Sequence, residues 1–167
     1  MTALSGLEDT LAAAVALREQ GEDEEAMRVL LELQRRHPEE PRVNLQCAWI
    51  HDKLGLEADA VPFYEKALAG GLDGTDLHNA LLGLGSTYRA LGRYEEALHI
   101  LDRGVAEVPG SRDLEVFRAM ALYNVGRAKE ACESLLRLLV ETTSDTLISR
   151  YRAALDEYAA DLDRNWG

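Results

Sequence analysis

One phrase occurs four times along the chain: Gly21-Glu-Asp-Glu-Glu-Ala26, Gly55-Leu-Glu-Ala-Asp-Ala60, Gly92-Arg-Tyr-Glu-Glu-Ala97 and Gly126-Arg-Ala-Lys-Glu-Ala131, with alanines 34, 37 and 34 residues apart. A glycine just beyond a helical pattern marks a turn into the left-handed region, which only glycine enters without strain. A period near 34 made of two amphipathic helices and such a turn is the pattern of a helical solenoid, whose units bury their apolar faces only by stacking. The small residues Ala14, Ala48, Gly85 and Ala119 on the first helices, set against Ala26, Ala60, Ala97 and Ala131 on the second, let paired helices approach closely. The expectation is an all-α fold of four helix pairs. These run over about 7–40, 41–76, 77–110 and 111–143, after a flexible N-terminus at 1–6.

Local signals set the boundaries. Ser5-x-x-Glu8 is a capping box that places the first helix start near Leu7, and Pro38 and Pro109 stop second helices. The stretch Ala69-Gly-Gly-Leu-Asp-Gly-Thr75 absorbs the three extra residues of the 37-residue spacing, so a longer surface loop is expected there. After the fourth unit, Leu147, Tyr151, Leu155, Tyr158 and Leu162 make one apolar stripe and predict a ninth helix. Placed over 144–167 with its tail, that helix is expected to cap the apolar end of the stack. Trp166 lies beyond the stripe.

These residues resemble the tetratricopeptide repeat. The third unit carries Leu81, Leu84, Gly85, Tyr88, Gly92, Tyr94, Ala97, Leu101 and Pro109 in that family's order, with Gly104 where Ala is usual. More narrowly, the stretch from about Glu57 to Leu139 is similar to a stand-alone, largely uncharacterised bacterial subgroup of such proteins. The resemblance implies a right-handed superhelical solenoid whose first helices line a concave, partner-binding surface. Transferred by register, the groove set is Leu11, Val15, Arg18, Leu45, Trp49, Lys53, Leu82, Arg89, Val116, Met120 and Tyr123. Glu8, Glu19, Arg42, Asp52, Asn79, Ser86, Asp113 and Asn124 surround it. Trp49 can be read as the groove's anchor or as a core residue packed between first helices. Some family members hold a partner's C-terminal carboxylate with a clamp of Lys, Asn, Asn, Lys and Arg. The matching positions here are Leu11, Val15, Gln46, Asn79 and Gly83, so no cation is retained and that activity does not carry over.

Composition narrows the chemistry. Eighteen Lys and Arg face 30 Asp and Glu, for a net charge of -12, half of it within residues 1–40. Such a field repels phosphate backbones, which argues against nucleic acid as a partner. The run Glu22–Glu25 reads first as a favourable helix N-terminus and only second as a docking site for a basic partner. Cys47 and Cys132, both inside apolar helical patterns, read as free, buried thiols. Met1–Gly6 lacks a basic region and no membrane-length apolar run follows, so the expected location is cytoplasmic, without a membrane partner. His37, His51, His78 and His99 fall at four different repeat positions and do not converge on a metal. His51 reads as a packing histidine and Asp52 as a solvent-side charge. No nucleophile, phosphate-loop or zinc motif is present, so neither catalysis nor a cofactor is expected. Three function classes remain. The favoured one is a non-enzymatic module binding a peptide segment or amphipathic helix in its groove. The alternatives are a dedicated chaperone like the small acidic secretion chaperones, and a self-assembling scaffold that forms a homo-oligomer.

Overall fold

The computed structural model describes residues 2–165, with side chains from Gly6 onward. Trp166 lies outside the described residues. Among the described residues ten helices follow one another: α1 Thr2–Glu19, α2 Asp23–Arg36, α3 Pro41–Lys53, α4 Glu57–Ala69, α5 Gly74–Ala90, α6 Tyr94–Glu107, α7 Arg112–Asn124, α8 Ala128–Thr142, α9 Thr146–Ser149 and α10 Arg152–Tyr158. Among the described residues no helix is long and apolar enough to cross a membrane. The helices form two compact units, Met1–Gly92 and Arg93–Gly167.

Each glycine of the repeated phrase takes a positive φ, 83° at Gly21, 72° at Gly55, 75° at Gly92 and 83° at Gly126. Three of the turns close the same way: Glu22 N–H donates to the Leu17 carbonyl at 2.9 Å, Leu56 to His51 at 2.9 Å and Arg127 to Leu122 at 2.9 Å. This is the hydrogen bond that satisfies the last carbonyls of a helix when a left-handed residue ends it. A side chain at any of these glycines would be strained by the backbone alone.

All eight small residues of the helix-pair contacts are buried, from Ala14 and Ala26 to Ala119 and Ala131. In the first unit α1 packs on α2 and α3, α3 pairs with α4, and α5 packs on both α3 and α4. One cluster there joins Leu7, Leu11 and Ala14 of α1 to Leu30 and Leu33 of α2 and to Val43, Cys47 and Ile50 of α3. In the second unit α7 packs on α6 and α8, and α10 packs on α8. The loop between the second and third pairs is exposed over most of its length. Its Gly70 meets the Pro41 ring, where a Cβ would come within 2.8 Å.

Four expectations are corrected. First, α1 starts at Thr2 rather than near Leu7, so Thr2–Gly6 is helical instead of a separate lead-in to the capping box. Second, the single C-terminal helix is two short ones separated at Arg150 and Tyr151. It turns Ala159 inward, with Ile148 and Leu155 half-buried, and leaves the predicted stripe of Leu147, Tyr151, Tyr158 and Leu162 exposed. Third, Cys132 is exposed, because the outer side of α8 faces solvent. Cys47 is buried as expected, and desolvation pushes its thiol up to about 12. Fourth, Asp52 is a partly buried interhelical acceptor rather than a solvent-side charge.

Candidate functional site

The predicted groove residues fall into two sets, one on each unit. In the first unit, α1, α3 and α5 present a recess of about 270 Å³. Glu8, Leu11, Ala12, Val15, Ala16 and Glu19 line it from α1, Arg42 and Gln46 from α3, and Asp76 from α5. Val15 is half-buried and available to a ligand, whereas Leu11 is only 3% exposed and is mainly core. Leu45 has no exposed surface and cannot touch a partner, which corrects its assignment to the groove. The cause is the position of α3 among α1, α2, α4 and α5, which buries seven of its residues, Leu45 among them.

Trp49, one turn beyond Leu45, is half-buried, and the Arg18 guanidinium lies 4.8 Å from its ring centroid. Stacking of this kind fixes a cation on an aromatic face without removing its hydrogen-bonding edge. Burial draws the Arg18 pKa below its ordinary value, against the opposing pull of Glu19 and Asp23. Lys53 is exposed, with its ammonium 2.6 Å from Asp23 and donating at 3.0 Å to the Arg18 carbonyl. Arg42 Nη1 bonds both Glu8 oxygens at 2.8 and 3.0 Å, and its Nε lies 3.9 Å from Asp76. The cations of this face are thus engaged with the chain's own acids and an aromatic ring. Leu82 and Arg89, both half-buried, lie on α5. In the second unit, α7 carries the remaining three: Val116 at 37% exposure, Tyr123 at 68% and half-buried Met120.

Beneath the face lies a polar contact that the repeat register did not reveal. The Tyr64 hydroxyl of α4 donates to Asp52 Oδ2 at 2.7 Å, and the Thr87 hydroxyl of α5 reaches the same oxygen at 2.9 Å. One carboxylate therefore ties α3 to α4 and α5. Burial raises its pKa, while the two hydroxyl donors oppose the rise. The Tyr64 ring lies on Gly83, where a Cβ would approach Cζ to 2.6 Å, so glycine at this clamp-like position serves packing. His51, buried beside it, shares a 2.6 Å hydrogen bond between Nδ1 and the Cys47 carbonyl and packs its ring against Phe63.

The acidic run at the start of α2 lines a wider recess of about 670 Å³ with Gly21, Arg28 and Leu54. Two of its acids are already paired: Asp23 with Lys53, and Glu25 with Arg28 at 2.5 Å.

A family model described as "Tetratrico peptide repeat" matches residues 41–162, and a second, "Tetratricopeptide repeat", matches 11–40. Superkiller protein 3 of Saccharomyces cerevisiae is 27% identical over 89 residues, 53% of this chain and 6% of that protein. The human protein O-mannosyl-transferase TMTC1 is 33% identical over 96 residues, 56% of this chain and 10% of that protein. The matched regions therefore span a tenth or less of these curated relatives. Among solved structures, MamA 41-end from Desulfovibrio magneticus RS-1 superposes with a TM-score of 0.74 at 18% identity, covering 93% of this chain and 86% of that one. YrrB, described as a TPR protein with an unusual peptide-binding site, gives 0.73 at 19% identity, covering 99% and 86%. These likenesses show the fold. With the left-handed turn glycines and the buried alanines in register, the chain belongs to the tetratricopeptide repeat family, whose repeats indicate a protein–protein interaction module.

Proposed function

We propose that the chain is a non-enzymatic adaptor that holds a short segment of a partner protein, extended or as one amphipathic helix, on the first-helix face of its first unit. The observation that carries this reading is the recess over Val15, Gln46 and Arg42, with half-buried Trp49 on the same helix as the last two. A partner's apolar side chain placed there gains contact area. The polar rim of Glu8, Glu19, Arg42 and Asp76 would align its backbone. YrrB, of the same fold and with a peptide-binding site of its own, makes the mode physically reasonable for this architecture. Because Arg18, Arg42 and Lys53 already have partners in the chain, a ligand carboxylate would have to displace one of them. The preferred ligand therefore offers apolar anchors and backbone groups rather than a terminal carboxylate.

The test is an affinity capture with wild type beside Trp49→Ala, with unfolding measured on the same samples. Loss of specific captured proteins, at a stability change within about 1–2 kcal/mol, is the expected outcome for an anchor on an open face. Unfolding of Trp49→Ala would assign the ring to the core. Unchanged capture would move the partner site elsewhere.

A further inference from the structure

The recess of the first unit carries an acid at each end. Glu8, Ala12, Val15, Ala16 and Glu19 all line it from α1, an unbroken helix on which their spacing places them along one face. Glu8 and Glu19 are eleven residues apart, three turns and about 16 Å along the axis, with small apolar residues between. At the Glu8 end one guanidinium serves two carboxylates: Arg42 lies 2.8 Å from Glu8 and 3.9 Å from Asp76 of α5. At the other end Glu19 is exposed, and no ion pair with a described residue reaches it. Lys53 is engaged with Asp23, while Arg18 lies on Trp49 and attracts Glu19 only at longer range. An acid on the last residue of a helix opposes the macrodipole, so Glu19 adds nothing to the stability of α1.

Charge and size together indicate what fits. Three carboxylates and one guanidinium line the recess, an excess of two negative charges around an apolar centre. One turn along α3 from Arg42, Gln46 holds its Oε1 buried and without a hydrogen-bond partner, an acceptor to which the chain supplies no donor. The volume of about 270 Å³ takes one or two apolar side chains, not the body of a helix about 10–12 Å across. An extended chain rises about 3.3 Å per residue, so five residues cover the distance between the acidic ends. An anionic segment would meet repulsion at both ends, and a neutral one would leave both acids uncompensated.

We propose that the occupant of this recess is an extended, basic segment of a partner protein, with an apolar residue over Val15 and Ala16 flanked by two Lys or Arg about five residues apart. One cation reaches Glu19 and the other Asp76, and a backbone N–H donates to Gln46. Asp76 is the acceptor at the near end because Glu8 already bonds Arg42 through both of its oxygens, at 2.8 and 3.0 Å. The inference rests on the adaptor reading and narrows it from any apolar segment to a cation-flanked one. Exposed pairs of this kind are individually weak and sensitive to salt, so they choose among segments while the apolar contact supplies most of the affinity.

Heteronuclear NMR on the isotope-labelled full chain tests the proposal with three peptides blocked at both ends, KSLVSK, QSLVSQ and ESLVSE, each titrated to about 5 mM at low salt. The expected result is shifts centred on Val15 and Gln46, with KSLVSK binding about fivefold or more tighter than QSLVSQ and ESLVSE weakest. The difference should close at about 1 M salt. Glu19→Gln and Asp76→Asn should each cut the KSLVSK advantage about twofold, whereas Glu157→Gln, which removes the same charge from the second unit, should leave it unchanged. Equal binding of all three peptides at the recess overturns the cation-flanked segment and leaves the adaptor reading standing. No shift at Val15 and Gln46 with any peptide overturns both. A KSLVSK preference that Glu157→Gln reduces as much as Glu19→Gln reports the net charge of -12 and overturns the recess as its source. Shifts confined to Glu22–Glu25 overturn it too, by assigning the cations to the wider recess.

Discussion

The α3–α4–α5 layer of the first unit and the α8–α10 end of the second are held by different means. In the first, Tyr64 is 1% exposed, lies on Gly83 and donates to a partly buried carboxylate that also takes the Thr87 hydroxyl. In the second, the attachment of α10 runs through surface groups. Lys129 reaches Asp161 at 2.5 Å and Asp163 at 2.9 Å, and Arg137 donates to the Ala159 carbonyl at 2.8 Å, while Tyr151 stands 64% exposed. Repeats stacked on both sides are fixed by packing. A terminal element with one neighbour relies on contacts that water and salt can replace.

The two tyrosines put that contrast to its hardest test. Tyr64→Ala should cost about 3–5 kcal/mol, the range for emptying a buried aromatic site, with the orphaned Asp52 adding to it. Tyr151→Ala should stay within about 0.5 kcal/mol, as surface changes do. Denaturant unfolding of both variants beside wild type compares them directly. Similar losses would mean that the C-terminal segment is packed as tightly as the repeats.

The polar layer offers a finer test through pH. Burial raises the Asp52 pKa above its unfolded value, so the folded chain takes up this proton more readily than the unfolded one. As pH falls through the folded pKa toward the ordinary carboxylate value of 3.8, protonation of Asp52 therefore adds stability. Asp52→Asn removes that dependence. The variant should be less stable than wild type, by about 1–3 kcal/mol for a disturbed buried hydrogen-bond set. The gap should widen as pH drops from 7 toward 4. Paired unfolding curves at each pH cancel the titration of the other acids. A gap that narrows instead would mean that the two hydroxyl donors outweigh desolvation.

What the sequence disclosed follows the same division. Turn glycines and contact alanines are dictated by local backbone and by steric limits that recur at every unit, so a period of about 34 made them readable. Burial depth on α3 was not. The i, i+4 spacing of Leu45 and Trp49 fixes a shared side, yet a helix enclosed by four others hides one of them fully and the other in part. The Asp52 contacts join residues 12 and 35 apart by side-chain reach, and no local pattern encodes that. The C-terminal stripe was legible as amphipathic. Its facing was not, because the helix breaks at Arg150 and Tyr151 and turns Ala159, rather than the tyrosines, to the interior.

The smallest effect is expected at the α8–α10 attachment and concerns salt. The hydrogen bonds from Lys129 to Asp161 and Asp163 hold the lysine pKa above its ordinary value and that of Asp161 below. Both side chains are exposed to solvent, so mobile ions compete with the pair. Lys129→Met should leave the global unfolding midpoint nearly unchanged and act locally, by speeding amide exchange in Arg152–Tyr158 at low ionic strength. Raising salt to about 1 M, where the screening length falls to about 3 Å, should bring wild type to the variant's exchange rates. If wild-type protection in α10 persists at high salt, the Arg137 bond to the Ala159 carbonyl and the burial of Ala159 hold the segment, and its attachment resembles the repeats more than the contrast allows.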